Sequence, residues 1–450
     1  MKTKADRTEP RFSIRKYIRE ETLGGILLIL TTVIALIWAN SGYYEQYKKI
    51  WYETNMGFSF ASFELETSLH YWINDGLMAI FFFMIGLEIK REVIAGELST
   101  MKKASLPLAA AVGGMLFPAA IYVIFNAGNP QNLDGWGVPM ATDIAFALGL
   151  MSLLGNKVNI NLKIFLTAVA IADDLGAIMV IALFYTENIQ TGELINAAIF
   201  MAVLIGANRL GVRRATFYAL VGFAGVWLSF LYSGIHATIA GVLIALTIPV
   251  RTKVKEDRFI DDICDLVDEF EKARPNGTTL LSKKQAHLMS KIEKLSDDAH
   301  TPLQKLEHAL HPITAYFILP LFALSNAGVR IEGNIGDLLL HPIALGIIAG
   351  LVIGKVAGIA ILSKIMVMLK LAVLPEGVNW RQIIGAGLMA GIGFTMSIFI
   401  ANLAFKDPYL IQVAKIGIFT ASLISAISGL LLLNFSSKKD ADKIKKADLQ

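Results

Sequence analysis

Along most of this chain, apolar runs of nearly twenty residues alternate with short polar connectors. Roughly 20 such residues are what an α-helix needs to cross the hydrocarbon core of a bilayer. The pattern predicts spans at Thr22–Ala39, Tyr71–Leu87, Ala104–Phe125, Leu133–Gly155, Leu162–Thr186 and Leu194–Asn208. It predicts six more at Ala215–Leu231, Gly234–Val250, His311–Gly328, Pro342–Met366, Gln382–Phe405 and Leu410–Phe435. Leu23–Trp38 and Leu410–Leu433 are continuously apolar, unlike the alternating segments of an outer-membrane barrel. The expected fold class is an all-α polytopic membrane protein of about 12 transmembrane helices. Residues 1–21 are then an N-terminal segment, 22–250 hold eight helices and 251–310 form a charged loop; 311–435 hold four more helices and 436–450 a tail.

Composition agrees: 55% of residues are hydrophobic and 17% charged, against about 45–50% and roughly 25% in soluble domains. Cys264 is the only cysteine, so a disulfide framework, a cysteine metal cluster and a thiol redox pair are excluded. About twenty polar residues precede the first apolar run and no A-x-A-like cleavage site follows it closely, so that helix is expected to be retained. The net charge of +4 matters less than where the basic residues sit. Of the 41 Lys and Arg, 35 fall in the termini and every second connector or at the adjoining span ends, as Lys163 and Lys364 do, while the opposite connectors hold four, Lys48, Lys49, Arg330 and Lys406. By the positive-inside rule both termini lie in the cytoplasm, as in a multi-pass protein of a bacterial inner membrane, and no nucleic-acid partner is implied.

Two connectors carry internal patterns. Residues 45–66 contain Trp51–Thr54 and Phe58–Phe63 flanking Asn55-Met56-Gly57, which reads either as an outer β-hairpin with its turn at Asn55–Gly57 or as an interfacial aromatic loop. Within 251–310, Ile260, Ile263, Leu266, Val267 and Phe270, then Leu288, Ile292 and Leu295, fall at helical spacing, with Arg274-Pro275-Asn276-Gly277 as the break. A cytoplasmic helical hairpin is expected there, with its many carboxylates as a solvated face.

A charge at the bilayer centre costs at least ~2.5–3.5 kcal/mol, so ionisable residues inside the spans are functional candidates. They are Asp75, Asp143, Asp173, Asp174, His236, Lys355 and Lys415. Asp173 and Asp174 sit side by side in the fifth segment, about 100° apart around the helix axis. Two adjacent carboxylates in so apolar a setting do not both stay ionised cheaply, which suits one of them to holding a proton near neutral pH. Deprotonated, the same oxygens are hard ligands for a small hard cation. A site that holds protons or a cation, but not both, is the core of an exchanger; the competing reading is a salt-bridged helix pair without a transport role.

Gly137-Val138-Pro139-Met140-Ala141-Thr142-Asp143 interrupts the fourth segment, and Gly385, Gly387, Gly391-Ile392-Gly393 and Thr395 interrupt the eleventh in a corresponding place. Such a pair points to inverted-topology repeats with two broken helices crossing at a midplane ion site; for the eleventh segment alone, Gly-rich helix packing is the alternative. Broken helices expose negative C-terminal and positive N-terminal ends, which Lys355 and Asp143 have the signs to neutralise.

Ala141-Thr142-Asp143-Ile144-Ala145-Phe146-Ala147-Leu148-Gly149, Asp173-Asp174-Leu175-Gly176-Ala177-Ile178 and Gly391-Ile392-Gly393-Phe394-Thr395-Met396-Ser397-Ile398-Phe399 resemble signatures of the NhaA family of sodium/proton antiporters. So do Asn74-Asp75-Gly76-Leu77-Met78, Gly86-Leu87-Glu88-Ile89-Lys90-Arg91-Glu92, Ser233-Gly234-Ile235-His236-Ala237-Thr238 and Leu306-Glu307-His308, and the likeness runs through all twelve segments. The resemblance implies Asp174 as the principal Na⁺ ligand, with Asp173 beside it exchanging protons and pairing with Lys355. It places Thr142 and Asp143 at the helix-four break, Asp75 in an ion pathway, and Glu88, Glu92, Glu307 and, more loosely, His236 in a pH-responsive cluster at the cytoplasmic mouth. For His236 a packing or hydrogen-bonding role stands equally. The outer hairpin of the family makes a homodimer contact, which Trp51–Phe63 resembles in pattern, whereas the loop before Leu306 is longer and more acidic than the family's usual linker.

The function implied is electrogenic, pH-activated exchange of cytoplasmic Na⁺ or Li⁺ for external H⁺, by a secondary transporter without cofactors. The runner-up is a sodium-coupled organic anion carrier of similar fold. A Gly-x-Gly-Asp protease motif and a P-loop are both lacking, so neither a membrane protease nor an ATP-driven pump is expected.

Overall fold

The computed structural model describes residues 11–447 apart from 61–62, 187–188, 274–279 and 332. Eight of its helices are long and apolar enough to cross a membrane, and two bent pairs make ten: Pro130–Met140 with Ile144–Leu153, at 46°, and Trp380–Ala390 with Phe394–Ala404, at 47°. The other two expected spans are outside that count. The second runs unbroken through Leu69–Tyr71, Trp72–Leu77 and Met78–Ala95, with Asp75 near its start and Glu88, Lys90, Arg91 and Glu92 in its last turns; the eighth, Ala237–Thr247, has only 11 residues. The fold is an all-α membrane fold with two broken helices. The fifth span (Ile160–Phe184) lies at its centre, with 67% of its apolar stretch buried, against 17% for the peripheral sixth (Thr191–Arg209).

Close backbone approach sets the geometry around the fifth span. Gly113 of the third span (Met101–Asn126) and Gly358 of the tenth (Pro342–Met368) face each other, and a Cβ on either would collide with the other's carbonyl. Small residues at such a crossing let helices pack backbone to backbone, and here the approach carries Lys355 into the interior. The tenth span also widens into a π turn at Gly350–Gly354, immediately before Lys355. Similar turns occur at Trp72–Leu77, Gly222–Trp227 and Thr314–Ile318; each shifts the helical register locally, a device common near functional residues.

Four expectations are corrected. Residues 55–60 and 63–68 do form an antiparallel hairpin, but Asn55-Met56-Gly57 lies inside its first strand, with Asn55 opposite Ser68 and Phe60 opposite Phe63. Residues 49–53 are instead a helical turn whose Trp51 is buried against Tyr47, ring centroids 6.3 Å apart, so pairing starts only at Asn55. The ninth span begins at Pro302, not His311, because Thr301 and Gln304 form a reciprocal capping box with Pro302 in the first turn. Glu307 and His308 therefore ride on that helix. Gly385 and Gly387 lie within the helix Trp380–Ala390, packed against Leu433 and Val356; the break is confined to Gly391–Gly393. The fourth correction concerns His236 and is taken up below.

In the long connector, Glu256–Lys272 and Lys283–Ala299 form the expected helix pair, while the predicted break at Arg274–Gly277 lies outside the described residues. Lys253 bonds Asp298 at 3.0 Å and Arg213 donates to the His300 carbonyl at 2.9 Å, tying the pair to the end of the membrane domain that holds Glu307.

Candidate ion site at the crossing of two broken helices

The two breaks cross. After the 3₁₀ turn Asp134–Met140, residues 141–143 run extended and the next helix starts at Ile144. Pro139 has no N–H to donate, and Gly135 and Gly137 weaken helix further, so the chain leaves the helix here. The extended segment lies over Gly391–Gly393: Asp143 N–H donates to the Ile392 carbonyl at 2.7 Å, and the Thr142 hydroxyl reaches the Ala390 carbonyl at 3.0 Å. Two helix N-termini and two helix C-termini thus meet away from water, each end carrying partial charge.

One carboxylate serves both positive ends. Asp143 Oδ1 accepts from Phe146 N–H at 3.0 Å at the start of Ile144–Leu153, and Oδ2 accepts from Thr395 N–H at 3.1 Å and the Thr395 hydroxyl at 2.5 Å at the start of Phe394–Ala404. The negative ends are met differently. Lys355 Nζ donates to the carbonyl of Met140, the last residue of the first short helix, while Thr142 caps Ala390, the last residue of the other. Lys355 is fully buried and also bonds Asp173 Oδ2 at 2.6 Å, and the Thr142 hydroxyl lies 3.0 Å from the same oxygen. That hydroxyl has one proton for two acceptors, so it donates to only one at a time.

Asp174 is placed differently. It is 1% exposed, and its Oδ1 has no hydrogen-bond donor among the described residues. With Thr142, Asp143 and Thr395 it lines the floor of a cavity of about 70 Å³, while Glu88 of the second span and His311 and Thr314 of the ninth line the same cavity. Thr314 Oγ1, like Asp174 Oδ1, is buried without a partner among the described residues. Such a cavity has room for a few waters or one partly hydrated cation.

Beside this cavity Arg91 gathers three carboxylates: Glu307 in direct contact, Glu92 at 2.9 Å and Glu88 at 4.0 Å. Glu92 also accepts from Glu97 N–H at 2.8 Å. His236 is not among them. It precedes Ala237–Thr247 at the end of that helix remote from Arg91, with its ring Nε2 2.8 Å from the Tyr185 carbonyl. The carbonyls at the other end, Leu246 and Ile248, are held by Lys90. Sequence proximity to a glycine turn gave no means of telling one helix end from the other. Asp75 also stands apart, in the π turn Trp72–Leu77, where its backbone carbonyl accepts from Trp227 Nε1–H at 3.0 Å. Lys415 is buried in the twelfth span, away from the cavity.

The residues not foreseen as part of the site are Thr395, Thr314 and His311, with the carbonyls of Met140 and Ala390. In the sequence Thr395 marks only the interruption of the eleventh segment; Thr314 and His311 give no local signal, because only the folding of the ninth span against the second brings them to the cavity.

Comparison with known proteins completes the picture. Residues 15–433 match the family described as Na⁺/H⁺ antiporter 1. The chain is 49% identical over 420 residues to the Na(+)/H(+) antiporter NhaA of Oleidesulfovibrio alaskensis, covering 93% of each. It is 46% identical to its namesake in Wolinella succinogenes, over 94% of each chain, and 47% identical to that of Helicobacter pylori, over 96% of this chain and 97% of the other.

Proposed function

This chain belongs to the Na⁺/H⁺ antiporter 1 family, and we propose that its exchange is electrogenic, alkaline-activated, and carried by Asp174 and Asp173. It is a multi-pass membrane transporter, not an enzyme, and its substrates are ions. Cytoplasmic Na⁺, and Li⁺ by the same hard-oxygen chemistry, leaves in return for more than one external H⁺, so the proton motive force drives secondary transport. The membrane is a bacterial inner membrane with both termini cytoplasmic, which makes the cavity beside Glu88 and His311 the cytoplasmic entrance.

The observation that carries this reading is a carboxylate without a protein donor, Asp174 Oδ1, lining a cavity of about 70 Å³ and adjacent in the chain to a carboxylate paired with a buried lysine. A second negative charge at that depth calls for a counter-ion. Protons and Na⁺ are the two counter-ions on offer, and they compete for the same oxygens. Acid cytoplasm keeps Asp174 protonated and the exchanger idle; alkaline cytoplasm frees it for Na⁺. Thr142, Asp143 and Lys355 hold the crossing together, Asp75 belongs to an ion pathway, and Glu88, Glu92 and Glu307 around Arg91 tune the pH response. The strands Asn55–Phe60 and Phe63–Ser68 are the contact of a homodimer. An organic anion carrier asks for a cavity of about 300 Å³ or more, well beyond the space at these carboxylates.

The test is Na⁺-induced dissipation of an imposed pH gradient in vesicles at alkaline pH, with Asp174→Asn beside the unsubstituted chain. The substitution keeps size and removes both charge and exchangeable proton. Collapse of the gradient by the unsubstituted chain alone, with net charge movement, is the expected result; an active Asp174→Asn chain overturns the site assignment, and activity that stays flat from neutral to alkaline pH overturns the competition.

A further inference from the structure

A cleft of about 600 Å³ lies between the starts of the third and fifth spans and residues 373–376 of the connector after the tenth. It is separate from the ion site: Ala168, on its wall, precedes Asp173 by five residues and so points about 140° away from it around the helix axis. Ile164 and Val373, also on the wall, are 42% and 74% exposed and turn apolar surface outward, where the bilayer lies. Hydrogen bonds fix the connector in place. Asn161 and Asn159 at the start of the fifth span donate to the Glu376 carbonyl at 2.9 and 3.1 Å, and the Ser105 hydroxyl of the third span donates to the Leu371 carbonyl at 3.2 Å. The cleft is therefore a built feature of the fold.

Its wall and its rim differ in chemistry. Leu106, Ile164, Phe165 and Ala168 make the wall apolar. Ala168 is eight residues past Ile160, where the helix starts, or about 12 Å along the axis, whereas the headgroup layer of a bilayer is about 5–7 Å deep on each side. The cleft thus runs from the polar layer into the hydrocarbon, as a site for an amphiphile must. Its rim carries Glu97, Lys102, Lys103 and Glu376. Lys103 and Glu97 pair with each other at 3.6 Å. That leaves Lys102 and Glu376, one charge of each sign, with no ion pair or side-chain hydrogen bond among the described residues.

We propose that this cleft binds an aminophospholipid of the phosphatidylethanolamine type from the cytoplasmic leaflet. Its phosphate oxygens accept from the Lys102 ammonium, and its own primary ammonium donates to the Glu376 carboxylate. The upper part of an acyl chain lies along Leu106, Ile164 and Phe165. The leaflet follows from the cytoplasmic side assigned to the termini. One unpaired charge of each sign selects against two other headgroups. Phosphatidylglycerol brings a phosphate but no cation to answer Glu376, and phosphatidylcholine brings a cation with no N–H to donate.

The test is native mass spectrometry of the full chain in detergent, titrated with these three lipids carrying identical acyl chains, beside Lys102→Gln and Glu376→Gln. Both substitutions fall on exposed side chains outside the ion site, and thermal unfolding without added lipid verifies that each chain is folded. The unsubstituted chain is expected to retain phosphatidylethanolamine about tenfold more tightly than the other two, the order of one hydrogen bond to a charged group. Lys102→Gln should weaken all three lipids, and Glu376→Gln should remove only the preference. A photoreactive diazirine on the acyl chain of phosphatidylethanolamine should label residues 164–168. Equal retention of phosphatidylglycerol and phosphatidylethanolamine overturns the headgroup assignment. A preference that survives Glu376→Gln, or labelling confined to other spans, overturns the site.

Discussion

Two clusters, each of one cation with three carboxylates, differ in how far they are withdrawn from solvent. At the crossing, one ammonium, Lys355, shares a buried site with the carboxylates of Asp143, Asp173 and Asp174, all at most 2% exposed. At the mouth, one guanidinium, Arg91, meets Glu88, Glu92 and Glu307; its own side chain is 35% exposed and theirs are 12–14% exposed. Charge counting alone does not separate them; dielectric does. Unit charges about 4 Å apart interact several-fold more strongly at the protein's effective dielectric than in water, and buried pairs escape salt screening. The excess negative charge at the mouth keeps partial contact with solvent through Arg91 and the rims of the three glutamates. The same excess at the crossing demands protons, a cation, or the helix N-termini that Asp143 caps. The lesson is that the two carboxylates of the fifth span differ in partnership: Asp173 is paired with Lys355, whereas Asp174 Oδ1 meets no protein donor among the described residues.

The contrast is broken first at its strongest point. Lys355→Met leaves Asp173 buried without its counter-charge, and removal of one partner of a buried pair costs about 3–5 kcal/mol. Thermal unfolding in detergent is expected to show that loss, with exchange abolished; unchanged stability would mean that Asp173 is already neutral when paired. Next is Thr395→Val, which removes the hydroxyl donor to Asp143 and keeps the shape. A hydrogen bond to a charged group contributes about 1.5–3 kcal/mol, so unfolding should shift by that order, with Na⁺ turnover reduced because the helix starts at Ile144 and Phe394 lose a shared anchor. The smallest effect is expected at the mouth. Arg91→Met should cost about 1 kcal/mol, the upper end for exposed pairs, because Arg91 is 35% exposed but its three glutamates only 12–14%, and displace the pH–activity curve by an amount that shrinks as ionic strength rises. A displacement that survives high salt would show the mouth to be as poorly solvated as the crossing, and the contrast would fail.

Much of the site was legible because membrane burial makes polar residues conspicuous. Asp143, Asp173, Asp174 and Lys355 announce themselves as charges in apolar runs, and Pro139 with its neighbouring glycines marks one break. The other break is harder to read, since Gly385 and Gly387 resemble Gly391 and Gly393 in type yet serve packing against Leu433 and Val356. Thr301-Pro302-Leu303-Gln304 is a helix start hidden in a polar loop, and missing it put Glu307 in the connector instead of on the ninth span. His236 was ambiguous for a different reason: a polar residue at a helix start carries no label for which face of the membrane it occupies.

By itself the sequence determined the class of fold and the set of charged groups that must be buried, because apolar length and ionisable residues are properties of single segments. Only the tertiary structure decided how those charges are divided. It turned Asp143 to two helix starts at once, left Asp174 open to a small cavity, and faced Asp173 toward Gly114 of the third span. The physical reason is that adjacent residues on a helix point about 100° apart, so which neighbours each carboxylate meets depends on helices that come from remote parts of the chain.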